Sequence, residues 1–153
     1  MRSKCATLCL GRRDDFVSAP LPTVRASGLL VNVAPAVAYT AAIFYGGLIR
    51  LGALPEMGPI PTDKLLHALT FGGLVLLIEH ALRYVRPLLD FRPRVTAAVF
   101  VASTLGALLE VLQSATDYRS ADVFDWVADT VGTLLAAGVI VMARWLLSKR
   151  SHA

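Results

Sequence analysis

Cysteine is scarce in this chain, with Cys5 and Cys9 as the only two among 153 residues. No histidine or further cysteine lies near them, so we interpret them as reduced, unpaired thiols rather than half of a metal site. We therefore expect no structural disulfide. Zinc sites usually need cysteine or several histidine ligands, and only His67 accompanies the acid-rich part of the chain.

Motifs typical of soluble enzymes are also missing. No Gly-x-Ser-x-Gly sequence surrounds Ser103, Ser114 or Ser120, which argues against a nucleophilic serine. Internal repeats and low-complexity tracts are absent from the sequence. These absences leave membrane insertion as the strongest signal in the chain.

Apolar residues dominate what is present, at 56% of the chain with a mean hydropathy of +0.61. Four continuous apolar stretches run approximately from Leu29 to Leu51, Leu65 to Leu82, Val95 to Ser114 and Val123 to Leu147. Each is close to the roughly 20 residues that a helix needs to cross a bilayer. We predict an all-α, polytopic membrane protein built as a bundle of four transmembrane helices.

The distribution of basic residues predicts how these helices are oriented. Lysine and arginine concentrate in the amino-terminal segment, in the second loop and at the carboxyl terminus, and positively charged loops stay in the cytoplasm. Both termini are therefore predicted to be cytoplasmic, with residues 52–64 and 115–122 outside. The net charge of +4 is thus explained by topology and by contact with membrane lipids, and we expect no nucleic-acid partner.

Composition divides the chain into three parts. Residues 1–28 are predicted to be a flexible, basic cytoplasmic tail, residues 29–147 the four-helix transmembrane domain, and residues 148–153 a second cytoplasmic tail. The apolar run from Cys5 to Leu10 is shorter than the roughly 7 residues of a minimal signal-peptide core. We expect a tail here rather than a cleaved signal.

Acidic residues in the fourth stretch follow helical spacing. Asp122, Asp125 and Asp129 occupy positions i, i+3 and i+7, which places them on one stripe. Glu110 and Gln113 share a stripe of the third helix, and Lys64 and His67 share the start of the second; these residues all lie towards the predicted outer side. Polar residues inside membranes usually face the bundle interior and find partners.

We therefore predict one polar pocket, open towards the outer leaflet. Its candidate ligand-binding residues are Lys64, His67, Glu110, Gln113, Arg119, Asp122, Asp125 and Asp129, and its catalytic candidates are His67, Glu110 and Asp129. The acids outnumber the bases, so either some carboxyls are protonated because burial disfavours their charge, or a cationic group binds among them. Magnesium or calcium would suit the carboxylates, but Lys64 and Arg119 would repel such an ion, so we expect no metal and no cofactor.

Two further polar sites receive local interpretations. Glu79 and His80, near the other end of the second stretch, are interpreted as solvated residues at a helix end. Asn32 and Pro35 in the first stretch are expected to adjust packing or kink the helix. Neither pair is assigned a ligand.

Three segments together resemble the VanZ-like family of small bacterial membrane proteins: "DKLLH" at 63–67, "EVLQ" at 110–113 and "YRSADVFDWVADTVGT" at 118–133. The similarity covers about residues 30 to 147 and includes the four-span plan. Two positions depart from the pattern: Asp129, where relatives often have Asn, and Ala136, where a second Gly is common. The family is named for a protein associated with teicoplanin resistance, so the resemblance implies a multi-pass protein of the bacterial cytoplasmic membrane with a role at the cell envelope, without an established reaction.

Two functional hypotheses remain open. In the first, the chain binds or acts on an envelope amphiphile such as a lipid phosphate or a lipophilic glycopeptide antibiotic. Lys64 and Arg119 would hold an anionic head group, and Glu110 or Asp129 with His67 would move a proton. In the second, the polar residues form a proton or ion pathway, or hold the helices together in a non-enzymatic assembly partner.

Overall fold

Helices account for all regular structure in the described residues 26–49, 58–59, 61–117 and 122–150 of this computed structural model. In chain order they are α1 (Ala26–Asn32), α2 (Ala34–Leu48), α3 (Thr62–Val85), α4 (Phe91–Ser114) and α5 (Val123–Arg150). α3, α4 and α5 are each long and apolar enough to cross a membrane, and α1 and α2 meet that criterion together. The predicted all-α membrane bundle is confirmed, with three spans, or four if the bent pair is one span.

The first apolar stretch is broken where the sequence predicts a kink. α1 and α2 meet at an angle of 44° around Val33. Pro35 lies in the first turn of α2, where its missing N–H costs nothing, but its ring clashes with the carbonyl four residues earlier and prevents one continuous helix. Beside the break, the Asn32 side-chain amide donates to Gly28 O at 2.8 Å, one turn back in α1.

α3 lies at the centre of the bundle and contacts every other helix, α5 most extensively. Small residues make that contact close: a Cβ on Gly132 would overlap the backbone of Ala68, and one on Gly72 would lie 3.1 Å from Gly132 O. Helix backbones in membranes approach this closely only across such residues. The register of α3 against α5 is therefore fixed at Gly132.

The apolar core lies mainly between α3 and α4. Phe71, Leu74 and Val75 of α3 pack with Ala98 and Ala102 of α4, all at most 1% exposed. This apolar layer separates polar residues at one end of the bundle from those at the other. Most of the predicted tail 1–28 lies outside the described residues, as do parts of both predicted outer loops, so those assignments stay predictions.

One expectation is wrong at the far end of α3. Glu79 is 4% exposed instead of solvated, because Arg94 at the start of α4 donates to its carboxylate at 2.8 Å and Arg83 does so at 3.0 Å. The sequence separates Arg94 from Glu79 by a loop, so helical spacing gave no sign of the pairing. His80 is exposed, as expected, and lies 3.0 Å from the Asn32 side chain.

Candidate ligand-binding site

Three helices bring six of the predicted residues together at one end of the bundle. The start of α3, the end of α4 and the start of α5 meet there, because consecutive helices run antiparallel. We call this group the amino-end cluster, after its place on α3; it consists of Lys64, His67, Glu110, Asp122, Asp125 and Asp129.

Lys64 links α3 to the start of α5. Its ammonium donates to Asp125 Oδ1 at 2.7 Å and to Asp122 Oδ2 at 2.9 Å. Lys64 is thus held by two acids of the cluster. Asp122 also begins α5 as an N-cap, since its Oδ1 accepts from Phe124 N at 2.9 Å, and its own N–H donates to Glu110 Oε2 at 2.9 Å. This layer therefore ties all three helices together.

One turn deeper, His67 contacts Asp129. His67 Nδ1 lies 2.9 Å from Asp129 Oδ1, while Nε2 is 3.8 Å from Asp125 Oδ2, too far for a hydrogen bond. Asp129 is fully buried, at 0% exposure. The carboxylate of Asp129 thus fixes the orientation of the His67 ring.

Two buried carboxylate oxygens of the cluster have no hydrogen-bond partner among the described residues. They are Glu110 Oε1 and Asp129 Oδ2, and their side chains are 6% and 0% exposed. Such acceptors are rare, because a buried polar atom without a partner costs roughly 1–3 kcal/mol, and more when it is charged. Gly106 makes room for Asp129, since a Cβ there would lie 2.7 Å from Oδ2.

The charge of the described cluster is strongly acidic. Its four carboxyl groups face one lysine and one histidine, and Asp63 adds another acid 3.9 Å from Lys64. Lys64 is already shared by two carboxylates, and its hydrogen bond holds the pKa of Asp122 below the usual range. Glu110 and Asp129 therefore have no lysine or arginine among the described residues to neutralise them.

Two of the predicted site residues are not joined to the cluster by these contacts. The Gln113 side chain is buried and donates to Gly47 O of α2 at 2.9 Å. Arg119 lies outside the described residues, so its predicted place in the pocket stays a prediction, as does the pocket itself.

Sequence reasoning missed a polar contact beside the cluster. The hydroxyls of Ser103 and Thr130 lie 2.9 Å apart, and Trp126 Nε1 donates to Ser103 O at 3.2 Å. Thr130 directly follows Asp129 and so lies off the acidic stripe, towards α4. A search for polar residues on the flank of that stripe would have found it.

A metal could be bound by part of the cluster. His67, Glu110 and Asp129 each offer a ligand atom, and these atoms lie within 4.8 Å of one another. The set combines one imidazole with two carboxylates, which together suit divalent ions.

One protein family matches most of the chain. The VanZ/LLP1 family model matches residues 20–145, which include the whole cluster and every helix except the last residues of α5. The chain belongs to the VanZ/LLP1 family. No curated protein and no solved structure matches it. Family membership confirms the resemblance drawn from the motifs, and it attaches no reaction to this VanZ/LLP1 chain.

Proposed function

We propose that this VanZ/LLP1 protein binds the polar head group of a bacterial envelope amphiphile in the amino-end cluster, with the apolar tail along its membrane spans. The observation that carries the proposal is the pair of buried oxygens, Glu110 Oε1 and Asp129 Oδ2, without partners among the described residues. A polar network made only to join helices would satisfy its buried atoms. A head group that donates hydrogen bonds would satisfy these two.

The surroundings of the cluster suit an amphiphile. Leu65, Leu66 and Leu69 are exposed on α3, and Phe124 and Trp126 are exposed at the start of α5. An acyl chain lying against these residues would place its head group beside the charged end of the bundle.

The contacts favour a head group that donates hydrogen bonds. Lys64 is held by Asp122 and Asp125, so an anionic group would have to compete with two carboxylates for it. Hydroxyl or ammonium groups, such as those on a lipophilic glycopeptide antibiotic, would donate to the free acceptors once the buried end of the cluster opened to admit them. A lipid phosphate would rely on Arg119. His67, oriented by Asp129, is placed to transfer a proton to or from either kind of head group.

Native mass spectrometry of the purified protein, loaded with envelope lipid extract or with teicoplanin, tests this proposal. We expect wild type and the Asp63→Asn control to retain the amphiphile, and Glu110→Gln and Asp129→Asn to lose it while remaining folded. Equal retention by all four proteins, or retention by none, would contradict head-group binding at the cluster.

The competing function is a purely structural one, and the bridging contacts favour it. Lys64 and His67 each join α3 to α5, as interhelical glue would. In that case Glu110→Gln and Asp129→Asn should accumulate poorly in the membrane. A proton pathway along α3 has less support: His67 and Glu79 are about 18 Å apart at about 1.5 Å per residue, and Phe71, Leu74 and Val75 fill the interval.

The orientation in the cytoplasmic membrane forms part of the proposal. With both termini cytoplasmic, the amino-end cluster faces outward, where envelope amphiphiles and antibiotics arrive. In a Cys5→Ser, Cys9→Ser background, Pro59→Cys and Ser120→Cys should react with an impermeant thiol reagent in intact cells, and Ser148→Cys should not. Labelling of Ser148→Cys alone would reverse the orientation.

A further inference from the structure

We infer that His67, Glu110 and Asp129 form a binding site for a divalent transition-metal ion. Each residue comes from a different helix, and their candidate ligand atoms lie within 4.8 Å of one another. Tetrahedral ligands that share a zinc ion at about 2.0–2.2 Å lie about 3.4 Å apart, so the widest pair of ligand atoms has to close by up to about 1.4 Å when the ion binds.

The free atoms of the cluster support a metal independently of that spacing. Glu110 Oε1 and Asp129 Oδ2 are buried and unpartnered among the described residues, and each has a lone pair available. Glu110 Oε2 is already held by Asp122 N, whereas Asp129 Oδ1 faces His67, which is itself in the ligand set. The Glu110 carboxylate is therefore oriented before the ion binds, as ligands are in known metal sites.

The contacts of Lys64 answer the objection that its positive charge would repel a metal ion. Its ammonium hydrogen-bonds with Asp122 and Asp125, in the layer outside His67 and Asp129. Its charge is therefore compensated by carboxylates that are not in the ligand set. Glu110 and Asp129 have no lysine or arginine partner among the described residues, so a cation bound between them would compete with no fixed base for their free oxygens.

One imidazole and two carboxylates favour zinc or manganese over magnesium or calcium, which prefer oxygen ligands alone. The ion would use the same two oxygens, Glu110 Oε1 and Asp129 Oδ2, as a hydrogen-bond-donating head group, so the inference is an alternative to amphiphile binding at those atoms and does not depend on it. A proton shared between the two carboxyls is the competing account, and it predicts no retained metal.

The test is zinc and manganese titration of the detergent-purified protein against a chromophoric chelator, without added lipid. Cys5→Ser and Cys9→Ser are included in every protein so that the amino-terminal thiols do not bind zinc, and the affinity tag contains no histidine. We expect one ion per chain, with unchanged affinity in Asp63→Asn. His67→Gln, Glu110→Gln and Asp129→Asn should each weaken binding by more than the about 10- to 100-fold typical of outer-shell changes.

X-ray absorption of the zinc-loaded protein gives a readout that does not depend on whether the variants fold. We expect a first shell of oxygen with one imidazole nitrogen and no sulfur. Absence of specific binding by wild type, unchanged affinity in the folded ligand variants, or a first shell without imidazole would each overturn the inference.

Discussion

Glu79 and Asp129 are both buried acids on the central helices, but their surroundings differ. Glu79 is paired with Arg94 and Arg83, which neutralise it. Asp129 has only His67, and one of its oxygens has no partner among the described residues. We call the first group, Glu79, Arg83 and Arg94, the carboxyl-end cluster. Among the described residues, no buried side-chain atom of this cluster lacks a hydrogen-bond partner, as expected of a structural group. The amino-end cluster retains two buried carboxylate oxygens without partners.

The largest effect is expected from breaking the carboxyl-end cluster. Arg94→Ala leaves Glu79 without its buried partner, and such a loss costs about 3–5 kcal/mol. Equilibrium unfolding in mixed micelles should show this drop in the free energy of unfolding. Replacing both Glu79 and Arg94 by leucine should restore most of the lost free energy of unfolding, since an apolar pair needs no charge compensation. If Arg94→Ala is as stable as wild type, the structural role of the carboxyl-end cluster is contradicted.

An intermediate effect is expected where α3 meets α5. Gly132→Ala pushes a methyl group against the Ala68 backbone, next to His67, and overpacking of this kind costs about 1–3 kcal/mol. The matched control is Gly138→Ala, where the Cβ meets nothing within 4 Å and alanine raises helix propensity by up to about 1 kcal/mol. Thermal melts should show a lower melting temperature than wild type for Gly132→Ala and a higher one for Gly138→Ala. Destabilisation by both would show that α5 tolerates no added methyl group.

The smallest effect is expected at Asp122, where pH tests the contact with Lys64. The hydrogen bond from Lys64 lowers the pKa of Asp122 in the folded protein, so its stabilisation is present above the ordinary aspartate pKa of about 4 and is lost as pH falls through the folded value. Asp122→Asn removes the charge but keeps a good N-cap. Its melting temperature should lie slightly below that of wild type at neutral pH, and the gap should close as pH falls below the ordinary aspartate pKa and through the lowered folded value. A gap independent of pH would contradict the ionic contribution.

The sequence predicted most of the fold because apolar length and helical periodicity are local properties. The stripe of Asp122, Asp125 and Asp129, and the shared position of Lys64 and His67 near the start of α3, followed from spacing alone. What spacing could not predict is which partner each charge finds in the bundle. The expectation that Glu79 is solvated is wrong because its partner, Arg94, lies beyond the turn between α3 and α4. Gln113 donates to Gly47 of α2, and the spacing of residues within α4 does not predict which neighbouring helix its side chain meets.

The central claim, that the amino-end cluster is arranged for a ligand and the carboxyl-end cluster for stability, is tested most directly by the unfolding free energy of Glu110→Gln. Glutamine can still accept from Asp122 N, and the variant replaces a buried carboxyl that has no basic partner among the described residues. We predict that, without ligand, Glu110→Gln is as stable as wild type or more stable, while Arg94→Ala measured beside it is strongly destabilised. A loss in Glu110→Gln as large as that in Arg94→Ala would show that both clusters hold the bundle together and would contradict the account.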